Sequence, residues 1–477
     1  MVVQVPGLIA IVVSYLIVLV VGIWSGRKKR NGDDTNDPFL ANRQLGIVIS
    51  TFTISATGIG AAFINGNAEQ MARNGLLWLY GSLCFNIGIG TAALLYVRKM
   101  RNAGYYTIFD PMQQKYGSKM GGLLFFPEFI GELFWESAIL VALGTTLSVI
   151  LDLNSTITII ISACVAVVYT FFGGLYSVAY TDVIQLCLVF IGLILGLPFA
   201  VTNPAVDFSR ISKTWVGHVP TDRIFLYIDG ILMLIGGGIP WQSYFQRALA
   251  CKTNSTAIKA SMLSIVVTSL AIIPPALFGA IGAATDWNST DYGGEIPIPD
   301  SDWVMAVPMV LQHLCPTAVA VIGIGAVSAA GMSSTDSIIL STGTVFARNI
   351  YKHILRPKAS EKEVIWVLRF AIVIVGILGS VIAITVNSVF GLYILSGDLM
   401  YVILFPQLTC AMWIQFANTY GSLIGFMEGQ VPALVCDSTP LLLIEIRTRV
   451  DFMPAVLINM SDVVDGFTPF FCGYISL

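Results

Sequence analysis

Long apolar runs separated by short polar gaps set the pattern of this chain. They fall near 6–26, 46–66, 75–97, 121–150, 155–173, 183–202, 224–245, 260–284, 316–346, 365–386 and 391–414. A twelfth, near 420–435, is short and carries Glu428. A helix crossing the hydrocarbon core takes about 20 mostly apolar residues. The pattern therefore predicts an all-α polytopic membrane protein of about 12 spans, with its membrane domain over 1–435. Residues 436–477 hold no run of 18 apolar residues, being interrupted by Asp437, Glu445, Arg447, Arg449 and Asp451. The first run has no basic stretch before it and is too long for the apolar core of a signal peptide, so it reads as a retained span.

Composition agrees. The 477 residues are 56% hydrophobic and 11% charged, with a mean hydropathy of +0.80, where soluble domains carry about 25% charged residues. The gaps leave no room for a large extramembrane domain. A net charge of −3 offers no footprint for nucleic acid. The eight cysteines are scattered and mostly lie within apolar runs, as small buried hydrophobes do.

The basic residues orient the spans. Of the 25 Lys and Arg, 19 fall in the gaps after the first, third, seventh and ninth runs, from Arg27 to Arg43, Arg98 to Lys119, Arg247 to Lys259 and Arg348 to Arg369. The opposite gaps hold Arg73, Arg210, Lys213 and Arg223. This places the N-terminus outside. The sequons at Asn154 and Asn288 then face outside and the one at Asn254 faces inside. Asn288 sits in a long acidic loop and is the better glycan acceptor.

Two runs contain helix breakers. The second holds Gly58-Ile-Gly60 and the seventh holds Gly236-Gly-Gly-Ile-Pro240. Irregular backbone at membrane depth lines a cavity or is covered by protein. Paired interruptions in corresponding positions of two halves point to the binding site of an inverted-repeat transporter. The repeats would be about 46–202 and 224–414, inverted because five spans separate the breaks. The ninth run carries Ser333, Ser334, Thr335, Asp336 and Ser337 after Ala330. These oxygens suit a small hard cation, or the hydroxyls bond their own helix.

Buried acids in a membrane are costly and commonly functional. Glu128, Glu132 and Glu136 share one face of the fourth run, and Asp229 lies in the first half of the seventh. The glutamates either contact a ligand or face a water-filled crevice. Asp182 and Asp398 lie near span ends, within reach of water. Of nine tryptophans only Trp135 and Trp241 fall at mid-membrane. Their rings either pack together or present faces to an organic cation, most suitably a quaternary ammonium. The histidines 218, 313 and 353 are isolated, and no GxGxxG or phosphate loop occurs, so nothing implies an enzyme or an ATP-driven pump.

Gly173-Gly-Leu-Tyr-Ser-Val-Ala-Tyr-Thr-Asp182-Val-Ile-Gln185 resembles the signature of the sodium:solute symporter family. The segments 110–117, 131–135, 237–246 and 326–336 resemble its choline-carrying members, and the likeness runs from about residue 6 to 425, which implies a divergent or truncated tail over 436–477. The resemblance implies a LeuT-type fold of five plus five helices with flanking helices, sodium as coupling ion, dependence on chloride, and no further cofactor. It implies choline uptake across the plasma membrane for acetylcholine synthesis, at the presynaptic terminal and its vesicles. Choline would lie in an aromatic cage of Trp135 and Trp241 with Asp229 and Glu132 nearby. Gly58 and Phe85 stand where the family carries a tryptophan and a tyrosine. Sodium would be held by the side chains of Ser333 and Ser334 and backbone oxygens of Ser55, Gly58 and Ala330. Another small organic cation or neutral solute as substrate, or a non-transporting sensor, stays open on these residues.

Overall fold

In the computed structural model the described residues are 38–151, 154–386 and 389–435, with a few positions of the first run. The rest of that run and the tail 436–477 lie outside the described residues. The helices are α1 (Ile47–Gly58), α2 (Ala61–Asn74), α3 (Leu76–Asn102), α4 (Phe109–Tyr116) and α5 (Ser118–Leu151). Then come α6 (Ser155–Val201), α7 (Ile224–Gly238), α8 (Gln242–Ala250), α9 (Asn254–Ala271) and α10 (Ile273–Ala284). The last are α11 (Ala306–Leu314), α12 (Thr317–Leu355), α13 (Glu361–Thr385), α14 (Gly391–Trp413) and α15 (Thr419–Val435). Among the described residues, β-pairing is confined to two isolated bridges.

Among the described residues, eight helical stretches are long and apolar enough to cross a membrane, nine if the bent pair α1–α2 counts as one. The expectation of about 12 spans differs for local reasons. The element α6 carries the fifth and sixth runs as two helical arms that meet at a kink, so its 47 residues account for two of the expected runs. It is interrupted at Gly174, whose φ of 57° favours glycine and whose missing Cβ makes room for Pro38. The first run lies outside the described residues, and α15 has only 17.

The breaks fall where the glycines and the proline place them. α1 stops at Gly58 and α2 starts at Ala61, with a 56° bend. Gly60 between them is extended, and a Cβ there would meet the Ser334 Oγ at 2.6 Å. α7 stops at Gly238. Pro240 cannot donate to a helical ladder, and Trp241 takes extended backbone before α8 begins. The Leu45 N–H donates to the Ala250 carbonyl at 3.1 Å and the Lys252 N–H to the Leu45 carbonyl at 3.0 Å. The start of one broken span is thus tied to the end of the other.

α12 packs along α6, α5 against α14, α3 against α7, and α9 against α1. α5 and α12 form the interior, with 78% of their most apolar windows buried, against 39% for α3 and α13. One end of the bundle carries Arg98, Lys115, Lys252 and Lys352, and is called the basic face below. The other carries Asp286, Asp291 and Asp300, and is called the acidic face.

Candidate functional site

A cavity of about 1320 Å³, mouth included, runs from the α1–α2 break to the acidic face. Gly58 and Gly60 line its deep end, and Glu69, Gln70 and Trp78 line its outer wall. At the deep end, four rings from four segments meet. Phe85 lies 5.9 Å from Trp135 and 5.1 Å from Trp241, measured between ring centroids. Trp135 lies 6.0 Å from Trp241 and 5.0 Å from Tyr393. Trp241 reaches the cluster because the chain unwinds just before it, which frees its ring from a helical stripe. A Cβ at Gly58 meets nothing within 4 Å, so the cavity is open where a fourth wall would stand.

The expected cage residues Trp135, Trp241, Phe85 and Gly58 therefore line one cavity. Two of the expected acids stand elsewhere. Asp229 is buried on α7 and acts electrostatically on Tyr80, a residue of the cavity wall, whose hydroxyl crosses over Gly230. Asp229 itself does not line the cavity. Glu132, one turn before Trp135 on α5, opens into a separate smaller space. Glu69, which lines the large cavity, was not among the candidates. It pairs with Arg73 at 2.9 Å, and Arg73 pairs with Asp300 at 3.1 Å. Tyr393 carries no sequence signal, because one tyrosine in an apolar run is compatible with packing alone.

Of the expected sodium ligands, Ser334 sits at the first break. Its hydroxyl is 3.1 Å from the Thr57 carbonyl and 3.4 Å from that of Ala56, the neighbours of Gly58 and Ser55. Ala330 is buried one turn earlier on α12, where Gly331 abuts Ala61. The Ser55 carbonyl accepts from the Ile59 N–H at 3.0 Å, and its buried hydroxyl has no hydrogen-bond partner. A hydroxyl and carbonyls freed at a helix break supply hard oxygens to a small cation. Among the described residues, no cluster of His, Cys, Asp and Glu could hold a metal.

Ser333 points a different way and donates to Asp182. Asp182 was expected within reach of water but is fully buried, because α6 runs on through Gly174 and carries it inside. It also accepts from the Thr53 hydroxyl and lies 3.9 Å from Arg247. Arg247, expected in a basic loop, is fully buried on α8. It donates to Thr53 Oγ1 at 3.1 Å, to the Ser243 carbonyl at 3.0 Å and to Ser337. Ser337 donates to Asp336, which also accepts from Tyr169. One guanidinium thus lies between two buried carboxylates from α6 and α12.

Broken helices crossing at mid-depth, a cavity ending on them and oxygen donors beside it define a secondary transporter of alternating-access design. The comparisons agree. The model of the sodium:solute symporter family matches residues 39–429, and the chain belongs to that family. It is 48% identical over 428 residues to high-affinity choline transporter 1 of Drosophila melanogaster, covering 89% of this chain and 70% of that one. It is 43% identical over 439 residues to the human high affinity choline transporter 1, covering 89% and 76%. In fold it is similar to a sodium-coupled sialic acid symporter in a substrate-bound outward-open state, with TM-score 0.78 and 14% identity over 95% and 96% of the two chains. A nucleobase-cation-symport-1 family transporter in a closed conformation follows, with TM-score 0.57 and 14% identity over 89% and 94%. The chain has the LeuT-type all-α fold of those neighbours.

Removing one partner of a buried ion pair leaves an uncompensated charge, at a cost of about 3–5 kcal/mol. Arg247→Met should lower the melting temperature of the purified full chain and its surface fraction, and Arg247→Lys should recover part of both. Unchanged stability in Arg247→Met would mean that the surrounding hydroxyls alone hold Asp182 and Asp336.

Proposed function

We propose that this chain takes up choline across the plasma membrane, coupled to sodium and dependent on chloride, in support of acetylcholine synthesis at presynaptic terminals. The observation that carries the reading is the ring cluster of Phe85, Trp135, Trp241 and Tyr393 at the deep end of a cavity beside a helix break. A quaternary ammonium cannot donate hydrogen bonds, so ring faces and nearby negative charge are what can hold it. Glu69 in the wall and Asp229 behind Tyr80 supply that charge. The choline transporters among the relatives support the same substrate. Residues 46–202 and 224–414 are its two repeats, residues 1–435 its membrane domain and residues 436–477 its tail. The acidic face is outside and the basic face cytoplasmic. The open place at Gly58 favours a second reading, in which a bulkier organic cation uses the same cavity.

The coupling ion binds at Ser334 and the freed carbonyls around Gly58, with Ser333, Ser55 and Ala330 completing or bracing the site. Labelled choline uptake in cells should vanish when lithium or an organic cation replaces sodium. Alanine at Ser333 or Ser334 should raise the sodium concentration for half-maximal uptake. Persistence of uptake without sodium would refute the coupling, and an unchanged sodium dependence in both variants would move the site elsewhere.

A lost ring removes about 0.5–2 kcal/mol of cation–π attraction. Trp135→Phe and Trp241→Phe should therefore weaken choline affinity less than the corresponding leucine variants, normalised to surface protein. Gly58→Trp should tighten it, since open space surrounds that Cβ. Equal affinity in Trp241→Leu and the unaltered chain would rule out the cage.

Asn288 is exposed in the acidic loop, whereas the Asn254 side chain is engaged by Arg101 and Asn102. Asn288→Gln should abolish most of the gel shift produced by glycosidase. A glycan on Asn254 would invert the topology.

A further inference from the structure

Among the described residues that line the large cavity, Glu69 is the one acid. It stands two turns beyond Ala61 on α2, about 12 Å from the break toward the acidic face. A cation entering from that face meets this carboxylate before it reaches the ring cluster. Glu69 already holds a cation, however. Arg73, one turn later on the same helix, donates through Nη1 to Glu69 Oε1 at 2.9 Å. Two monovalent cations compete for one carboxylate, because each repels the other.

Arg73 also has a second carboxylate to turn to. Its Nη2 lies 3.1 Å from Asp300 Oδ2. Asp300 opens the short helix Asp300–Met305, which packs on α2 ahead of α11. The two acids differ in setting. The Glu69 side chain is 11% exposed and faces inward, whereas that of Asp300 is 83% exposed. The planar guanidinium presents its donors as a fork and so reaches both at once. Glu69 and Arg73 sit one turn apart on one helix, so rotation of the Arg73 side chain alone makes or breaks the inner link. Arg73 is half-buried at the mouth, where such rotations are fast.

We propose that Arg73 is a built-in competitor for the entering quaternary ammonium. It occupies Glu69 until the substrate displaces it onto Asp300. Glu69 is then the residue that captures the cation at the mouth, and Asp300 is the landing place that lowers the barrier to the exchange. The proposal rests on the choline reading above. It assigns the speed of entry and exit to three charged residues that lie apart from the ring cage. It also favours cations over neutral solutes, which cannot displace a guanidinium from a carboxylate.

The test uses the purified full chain with sodium and choline. Association and dissociation rates are followed by tryptophan fluorescence, and equilibrium affinity by labelled choline. A residue that guards a passage changes both rates together. Arg73→Gln should therefore speed association and dissociation about fivefold each and keep affinity within about twofold. Asp300→Asn, which removes the landing place, should slow both about threefold. In a Glu69→Gln background, Arg73→Gln should change either rate by less than about twofold, because the exchange has already been removed. Unchanged rates in Arg73→Gln overturn the proposal. So does an equal effect of Arg73→Gln with and without Glu69. Faster association with unchanged dissociation also overturns it, since Arg73 would then act only as a repelling charge. Should Arg73→Gln fail to fold, Asp300→Asn at its exposed position reads the same exchange, and unchanged rates there overturn it. Absence of choline binding by the unaltered chain overturns the choline reading as well, whereas normal binding with rates untouched in every variant overturns the exchange alone.

Discussion

Backbone hydrogen bonding is the constraint on which the rest of this structure depends. Within the hydrocarbon core, each N–H and C=O must be satisfied by the protein itself. Two helices nevertheless stop at mid-depth, and each stop engages a segment distant in the chain. At the first, Ser334 of α12 meets the carbonyls of Ala56 and Thr57. At the second, Gln242 accepts from the Ile108 N–H at 3.0 Å, which draws the segment before α4 against the break. Partners so far apart in sequence can meet only in the folded bundle. The breaks therefore act as fixed points that determine how α12 and α4 dock.

The same logic extends to charge. Asp182, Arg247 and Asp336 come from α6, α8 and α12, and none of these helices could bury its ionised residue alone. Their meeting ties the second half of a broken span to the two longest helices. On the basic face, Asn349 donates to Asp110 at 2.7 Å and to Gln113 at 2.8 Å, while Thr107 donates to Asn349 at 2.7 Å. These bonds hold α4 across the basic-face end of α12. The acidic-face end of the cavity is held by a chain of ion pairs, Glu69–Arg73–Asp300, whose outer link to the exposed Asp300 is weak by comparison. The cavity accordingly reaches the acidic face, while hydrogen bonds among side chains cover the basic one.

What the sequence made legible is what leaves a local trace. The apolar runs, the two interruptions and the mid-membrane placement of Trp135 and Trp241 all follow from composition over a short window. The fifth and sixth runs remain two arms of α6, broken at Gly174. Longer-range chemistry was not legible. Asp182 and Arg247 each sit beside the edge of an apolar run, where a solvent-exposed charge looks the same. Only the packing of three helices shows that they face one another. Glu132 and Trp135 are adjacent turns of one face, yet Trp135 lines the large cavity and Glu132 does not, and periodicity cannot express that boundary. Ser333 and Ser334 are consecutive and so point about 100° apart on a helix. One meets the break and the other meets Asp182.

Gly58 and Phe85, read from the resemblance as standing in place of a tryptophan and a tyrosine, occupy different places around the ring cluster. Phe85 touches both tryptophans, so its ring is part of the cluster, where apolar surface suffices and a hydroxyl is not needed for packing. Gly58 touches nothing at its Cβ position, so its lost side chain enlarges the cavity without loosening the wall. The two departures act on different quantities. The first alters the face that a cation meets, and the second alters how closely it is enclosed. Attraction between a cation and a ring depends on contact distance, so the enclosure lost at Gly58 falls on affinity from the acidic face.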